Sequence, residues 1–351
     1  MNSWYKGTVA LCDSPKGVNQ QCARGDWLIK KKKIVLIVIS FGILMILISS
    51  SCGEKYPITR SNDGYTFQVD ENQNATLIKA DSYSEVVEVP QTIDSYKVIK
   101  LGCVKKAALI GYSYTGIFEY NDIVKEIIIP EGLLETYGPA IANCDNLERI
   151  SIPSTMTRFS VSRCNNLKEI NIADGNKTIE DFSFDDSHSL VSIVLPKRMT
   201  KLTNNAFARC YSLKNIKMSN SICSIGSWTF QDCSSLKAID LPSELSDIGA
   251  NAFQRSGLKS ISIPQNVTEI QCWTFESCES LKTVQLSESI TNFFDGAFQN
   301  CYSLERIDIY EKCSYIAENA FEGCNKLTIY GIKGSYAEKY AKEHSIPFVA
   351  L

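Results

Sequence analysis

The sequence predicts a repeat solenoid of about ten 23-residue coils, each with one short parallel β-strand. A β-rich cap is expected before the coils and a short helical cap after them. Three observations carry this reading. An apolar anchor recurs at Phe118, Ile141, Val161, Phe184, Phe207, Phe230, Phe253, Phe275, Phe298 and Phe321, with steps of 23, 20, 23, 23, 23, 23, 22, 23 and 23 residues. A leucine follows near offset six, as in Leu147, Leu213 and Leu304, and then two alternating apolar residues such as Ile150/Ile152, Ile239/Leu241 and Ile261/Ile263. Prolines 130, 153, 196, 242 and 264 close the alternating stretch, where a missing N–H stops a strand. One such coil cannot cover its own apolar side. Stacked coils can, at about 4.8 Å per rung and roughly 50 Å in all.

The N-terminus reads as a targeting device. Four lysines (Lys30 to Lys33) precede an uncharged apolar stretch from Ile34 to Ile48, three serines and Cys52. A basic region, a short apolar core and small residues before a cleavage point make a secretory signal. The core is shorter than the roughly 20 residues of a spanning helix. Residues 28–52 also resemble a bacterial lipoprotein precursor, which implies lipid attachment at Cys52. The alternative is an uncleaved membrane anchor. Residues 1–27 read as an over-extended start or a cytoplasmic tail. Both readings export the rest of the chain, with 53–62 as a linker.

Composition excludes some partners. The whole chain has a formal charge of −3, yet the first 51 residues carry seven Lys/Arg and two acids. The remainder holds 29 basic and 37 acidic residues, a net −8. An acidic body without a basic stripe lacks the electrostatic footprint for nucleic acid.

Residues 63–110 form the expected N-terminal cap region and 111–332 the solenoid. The recurring pattern in "IGANAFQRSGLKSISIP" (248–264) and "IAENAFEGCNKLTIYGI" (316–332) resembles the leucine-rich repeat of the BspA type. The resemblance covers about Asp63 to Leu351 and implies a leucine-rich-repeat solenoid. It also implies a surface adhesion or interaction protein. Residues 333–351 close the stack: Ser335 and Glu338 have the spacing of a capping box, and Tyr336, Ala337, Tyr340 and Ala341 are expected on one face of a lid helix.

Fourteen cysteines invite a disulfide framework. Seven of them (Cys144, Cys164, Cys210, Cys233, Cys278, Cys301, Cys324) take one slot of the coil, three residues after the anchor. Stacked side chains in one slot have parallel Cβ vectors, which do not suit a disulfide. Ser187, Ser256 and Asn121 fill the same slot elsewhere. The slot therefore selects a small, weakly polar filler, and buried thiols are favoured. Cys103, Cys223, Cys272 and Cys313 lie outside it, without assignable partners.

No cofactor, metal site or catalytic residue is expected. No CxxC occurs, and His188 and His344 are the only histidines. "FDDSHS" (184–189) reads as a polar turn rather than a triad fragment. What remains is a surface. Residues between the inward apolar positions of the strands face outward, and those expected to meet a partner are Arg149, Asn171, Asn215, Lys217, Asp240, Gln285, Arg306 and Asp308. The expected partner is an extracellular protein, on host matrix or a neighbouring cell. A structural envelope role without a ligand is the alternative. Sugar binding on this face is less favoured because it lacks aromatic platforms.

Overall fold

The structure, a computed structural model, describes residues 58–108, 111–138, 140–175 and 181–351, with the side chains of 103–115 left aside. Cys52 and the targeting segment lie outside the described residues.

The N-terminal cap is an antiparallel meander of Ile58–Arg60, Tyr65–Val69 and Asn74–Ala80. Its turn is built by Asp70, whose carboxylate accepts the N–H groups of Asn72 and Asn74 at 2.9 Å. The bond from Asn74 leads the effects that hold this carboxyl below its ordinary range. Phe67, Ala75 and Leu77 are fully buried beneath the meander.

The coils then stack in parallel and in register. One ladder runs through Val86–Glu88, Glu126–Ile128, Arg149–Ile152 and Glu169–Ile172. It resumes in Ser192–Val194 with Asn215–Lys217, and again from Ser260–Ser262 through Thr283–Gln285, Arg306–Ile309 and Thr328–Gly331 to Phe348–Ala350. The expectation of one strand per coil falls short. A second, side ladder includes Tyr96–Leu101, Glu135–Thr136, Arg158–Ser162 and Asp181–Ser183. Later coils continue it as two-residue pairs such as Ser224–Ile225 with Asp247–Ile248. The cause is general: the return segment of a coil also has backbone donors and acceptors to satisfy. The equivalent segment of the next coil lies directly beside it. Because Val86–Glu88 and Tyr96–Leu101 already belong to the two ladders, the first coil begins inside the region read as cap.

A third ladder is built of turns, except where Ile141–Ala142 pairs with Val161 and Ser162. Two residues after each anchor, from Tyr120 to Gly323, φ is positive, between 53° and 78°. The N–H of that residue donates to the next coil, as in Asp186 to Ala208 O at 2.9 Å and Arg209 to Gln231 O at 2.8 Å. Anchor N–H groups do the same, for example Phe207 to Thr229 O at 2.9 Å. The left-handed turn thus aims alternate donors along the stack while its anchor points inward.

The anchors form the core. From Phe184 to Phe321 the rings stack at centroid distances of 5.0–5.6 Å with planes within 23°. This offset-stacked geometry adds about 0.5–1.5 kcal/mol per pair beyond the area buried. The slot cysteines lie beside the rings as free, buried thiols. Cys210, Cys233, Cys278, Cys301 and Cys324 each donate to the anchor carbonyl of the preceding coil at 3.0–3.3 Å. Burial pushes the Cys278 thiol up to about 12, so it stays protonated and inert.

The last coil is covered by the helix Tyr336–Glu343. Ser335 caps it, accepting the Glu338 N–H at 3.4 Å, and the Glu338 carboxylate accepts the Gly334 N–H. Ala337, Tyr340 and Ala341 are buried. Tyr336, expected on the same face, is instead exposed. It sits in the first turn, beyond the rim of the last coil. Tyr340 closes the ring stack edge-on to Phe321 at 6.0 Å.

One expected strand is missing. Residues 238–241 make no backbone hydrogen bond to either neighbouring coil, although Ile239 is buried. The connection to the next strand is one residue short there. Gly257 absorbs the loss by passing so close to Ser234 that a Cβ would lie 2.0 Å from its carbonyl oxygen. Gly257 N–H to Cys233 O at 3.1 Å and Lys259 N–H to Lys237 O at 3.0 Å remain around the shortened connection.

Candidate functional site

The parallel register brings seven of the eight anticipated residues onto the first ladder, and the eighth, Asp240, lies in the missing strand. Arg149 stands beside Glu169, Lys217 beside Val194, Gln285 beside Ser262 and Arg306 beside Thr283. Their availability differs. Arg149 is committed to Glu126, with Nη2 2.9 Å from Oε2. Asn171 donates to Glu169 at 2.9 Å. Arg306 binds Asp308 through two nitrogens at 2.8 and 3.2 Å and lies 4.0 Å over the Tyr330 ring. These bonds keep Arg306 above its usual pKa, the hydrogen bond to Asp308 first. Asn215, Lys217, Asp240 and Gln285, by contrast, are exposed and have no side-chain partner among the described residues. They flank the missing strand, where a hollow of about 340 Å³ opens between Asp240, Ser243, Ser262 and Gln265.

A larger depression, about 620 Å³, lies on the side ladder. It arises where the coil type changes. The coils of Val161 and Phe184 carry a strand almost to or through the anchor (Arg158–Ser162, Asp181–Ser183). From Phe207 onward the strand stops earlier and a turn follows, with Asn205 in the left-handed region at φ 60°. Ser160, Asp181 and Ser183 therefore form a floor, and Asn204 and Asn205 a wall above it. Thr203 ties the two levels together, donating to Asp181 at 2.7 Å. Asp185 and Arg209 close one end.

The electrostatics of that end are uneven. Arg209 holds Asp186, with Nη2 2.8 Å from Oδ2. For Asp186, burial works upward, but the hydrogen bond and charge of Arg209 bring its carboxyl below the ordinary value. Asp185 goes the other way: burial, then repulsion from Asp186, raises it. Its Oδ1 accepts from Ser183 at 3.2 Å, while Oδ2 has only Arg209 Nη2 at 3.8 Å. His188 stands 3.7 Å from Asp186, and its ring lies 4.8 Å from that of Tyr211, which is exposed. The sequence reading of 184–189 as a polar turn does not show this depression, and no anchor change marks it, since Phe184 and Phe207 stand on either side of the change in coil type.

Neither histidine has a hydroxyl or thiol within hydrogen-bond distance among the described residues. No group of three or more metal-ligating side chains that could hold an ion occurs among them. The features that stand out are the hollow at the missing strand and the polar depression on the side ladder.

A profile described as BspA type leucine rich repeat region matches the chain in six copies, over residues 100–162, 113–214, 159–278 and 246–341. Among solved structures, the chain is similar to a leucine rich cell surface protein from Faecalibacterium prausnitzii A2-165, at 20% identity over 79% of this chain and 89% of that one, with a TM-score of 0.49. A leucine-rich repeat protein from Bacteroides ovatus ATCC 8483 is similar at 20% identity over 82% and 98%, with a TM-score of 0.39. For the pneumococcal vaccine antigen PcpA the values are 13%, 84%, 98% and 0.31. No curated protein matches the sequence.

Proposed function

The chain belongs to the BspA-type leucine-rich-repeat family, and from that premise we propose that it is a non-enzymatic surface module that binds an extracellular protein along its first ladder. Solenoids commonly bind along extended surfaces of this kind. The observation that carries the reading is the gap at 238–241. Unpaired backbone groups there lie between the free side chains of Asn215, Lys217, Asp240 and Gln285. Elsewhere on the face, Arg149, Asn171, Arg306 and Asp308 are already occupied by neighbours. A partner that completes the gap would gain hydrogen bonds without first breaking internal ones. In this reading the protein is exported and held at the membrane by a lipid on Cys52.

The test is attachment of the full chain to immobilised matrix proteins, compared with Lys217→Glu and Asp240→Lys. Saturable attachment is expected, weakened roughly tenfold or more by either reversal, with an unchanged melting temperature. Equal attachment by wild type and both variants overturns the proposal. Fatty-acid labelling of wild type and Cys52→Ala checks the anchor, and equal labelling rules it out.

A further inference from the structure

The depression on the side ladder belongs to a different part of the coil from the face assigned above. Its chemistry is also different. Every lining side chain is polar, including Asp181, Asp185, Asn204, Asn205 and Arg209. Small-molecule sites are usually lined mainly by apolar groups, so an apolar or lipid ligand gains little here. Two carboxylates face one guanidinium, and that guanidinium is already held by Asp186. An anionic ligand would therefore meet net repulsion.

The groups that remain need a ligand rich in both donors and acceptors. Asp185 Oδ2 lacks a hydrogen-bond donor within the protein. The Asn205 amide has no side-chain partner among the described residues. The Asn204 amide is fixed from behind, its Oδ1 accepting the Ser227 N–H at 2.8 Å, which leaves its Nδ2 as a donor. Carboxylate acceptors beside amide donors suit a sugar, whose rim of hydroxyls both donates and accepts. The volume, about 620 Å³, falls within the range of small-ligand sites, roughly 300–1,000 Å³. It is more room than a single lysine ammonium would need.

We propose that this depression binds a neutral oligosaccharide, with Asp185 accepting from sugar hydroxyls and Asn204 and Asn205 donating to them. The site is independent of the protein-binding face.

The test uses the full chain in a detergent without a sugar headgroup. It is titrated by calorimetry with tetrasaccharides of glucose, mannose, galactose and N-acetylglucosamine, a sialylated oligosaccharide and a lysine-bearing peptide. At least one neutral tetrasaccharide should bind saturably. Asp185→Asn and Asn205→Gly should each weaken it about tenfold, the magnitude of one hydrogen bond. Asn205→Gly keeps the left-handed turn, so its melting temperature should stay at the wild-type value while binding falls. Failure of every neutral tetrasaccharide to bind, binding confined to the sialylated or lysine-bearing probe, or wild-type affinity in both variants overturns the proposal.

Discussion

At the residue scale, the cysteine slot shows how a repeat chooses a side chain. The site is small, fully buried and faces an anchor carbonyl of the preceding coil, so a weak donor with little volume suits it. Serine meets the same demand less evenly. Ser256 reaches Cys278 Sγ at 3.3 Å, whereas the Ser187 hydroxyl has no partner. Thiols so placed should resist modification. In the native protein, Cys223, which is exposed, is expected to react with an alkylating agent at close to the rate of a free thiol. Cys210, Cys233, Cys278 and Cys301 should react roughly 100-fold or more slowly, since reaction requires opening of the core. Peptide mapping after timed alkylation reads both classes, and equal rates would refute the packing described.

At the element scale, the terminal helix acts as a lid whose hold comes from Tyr340. That ring covers Phe321, and its hydroxyl donates to Glu318 O at 3.2 Å. Tyr340→Ala should therefore destabilise the protein by about 3–5 kcal/mol, the range for truncating a large buried aromatic. Ser335→Ala should cost only about 1 kcal/mol, through loss of the cap. Chemical denaturation of the two variants gives the ranking, and a larger loss for Ser335→Ala would contradict it. The lid, the anchors and the first ladder were legible because each depends on local apolar spacing. The left-handed turns were not. Their positions hold Asn, Arg, Asp, Ser and Tyr, with glycine only at Gly323 in that column, because bonding between coils imposes the conformation rather than local preference. The side depression was hidden for a related reason: it exists only where two coil types meet. On the first ladder, apolar spacing could not separate Lys217 and Asp240, whose side chains have no partner among the described residues, from Arg306 and Asp308, which hold each other.

At the scale of the whole molecule, the one-residue shortening between Ser256 and Leu258 should set how the solenoid comes apart. Stability in a stack is a sum of coil and interface contributions, so the weakest interface decides where cooperativity fails. Both strand ladders are interrupted near this place. The first lacks backbone bonds at 238–241, and the side ladder ends at Asp247–Ile248 and restarts at Glu269–Ile270. Across the step, the coils of Phe253 and Phe275 are joined by the turn ladder, with Asn251, Phe253 and Arg255 donating to Cys272, Thr274 and Glu276 at 2.9–3.0 Å. Their rings also stack at 5.4 Å. The junction is thus continuous in its core but thinned at its surface. Hydrogen exchange in increasing denaturant should show amides 238–241 with the least protection in the solenoid, by roughly tenfold or more relative to the strand Thr283–Gln285. Coils before and after the junction should then lose protection at different denaturant concentrations, giving a transition broader than a two-state one. Uniform protection across the junction with a single sharp transition would mean that the remaining pairs, Ser260–Ser262 with Thr283–Gln285 and Ser224–Ile225 with Asp247–Ile248, together with the turn ladder and ring stack, keep the solenoid one cooperative unit.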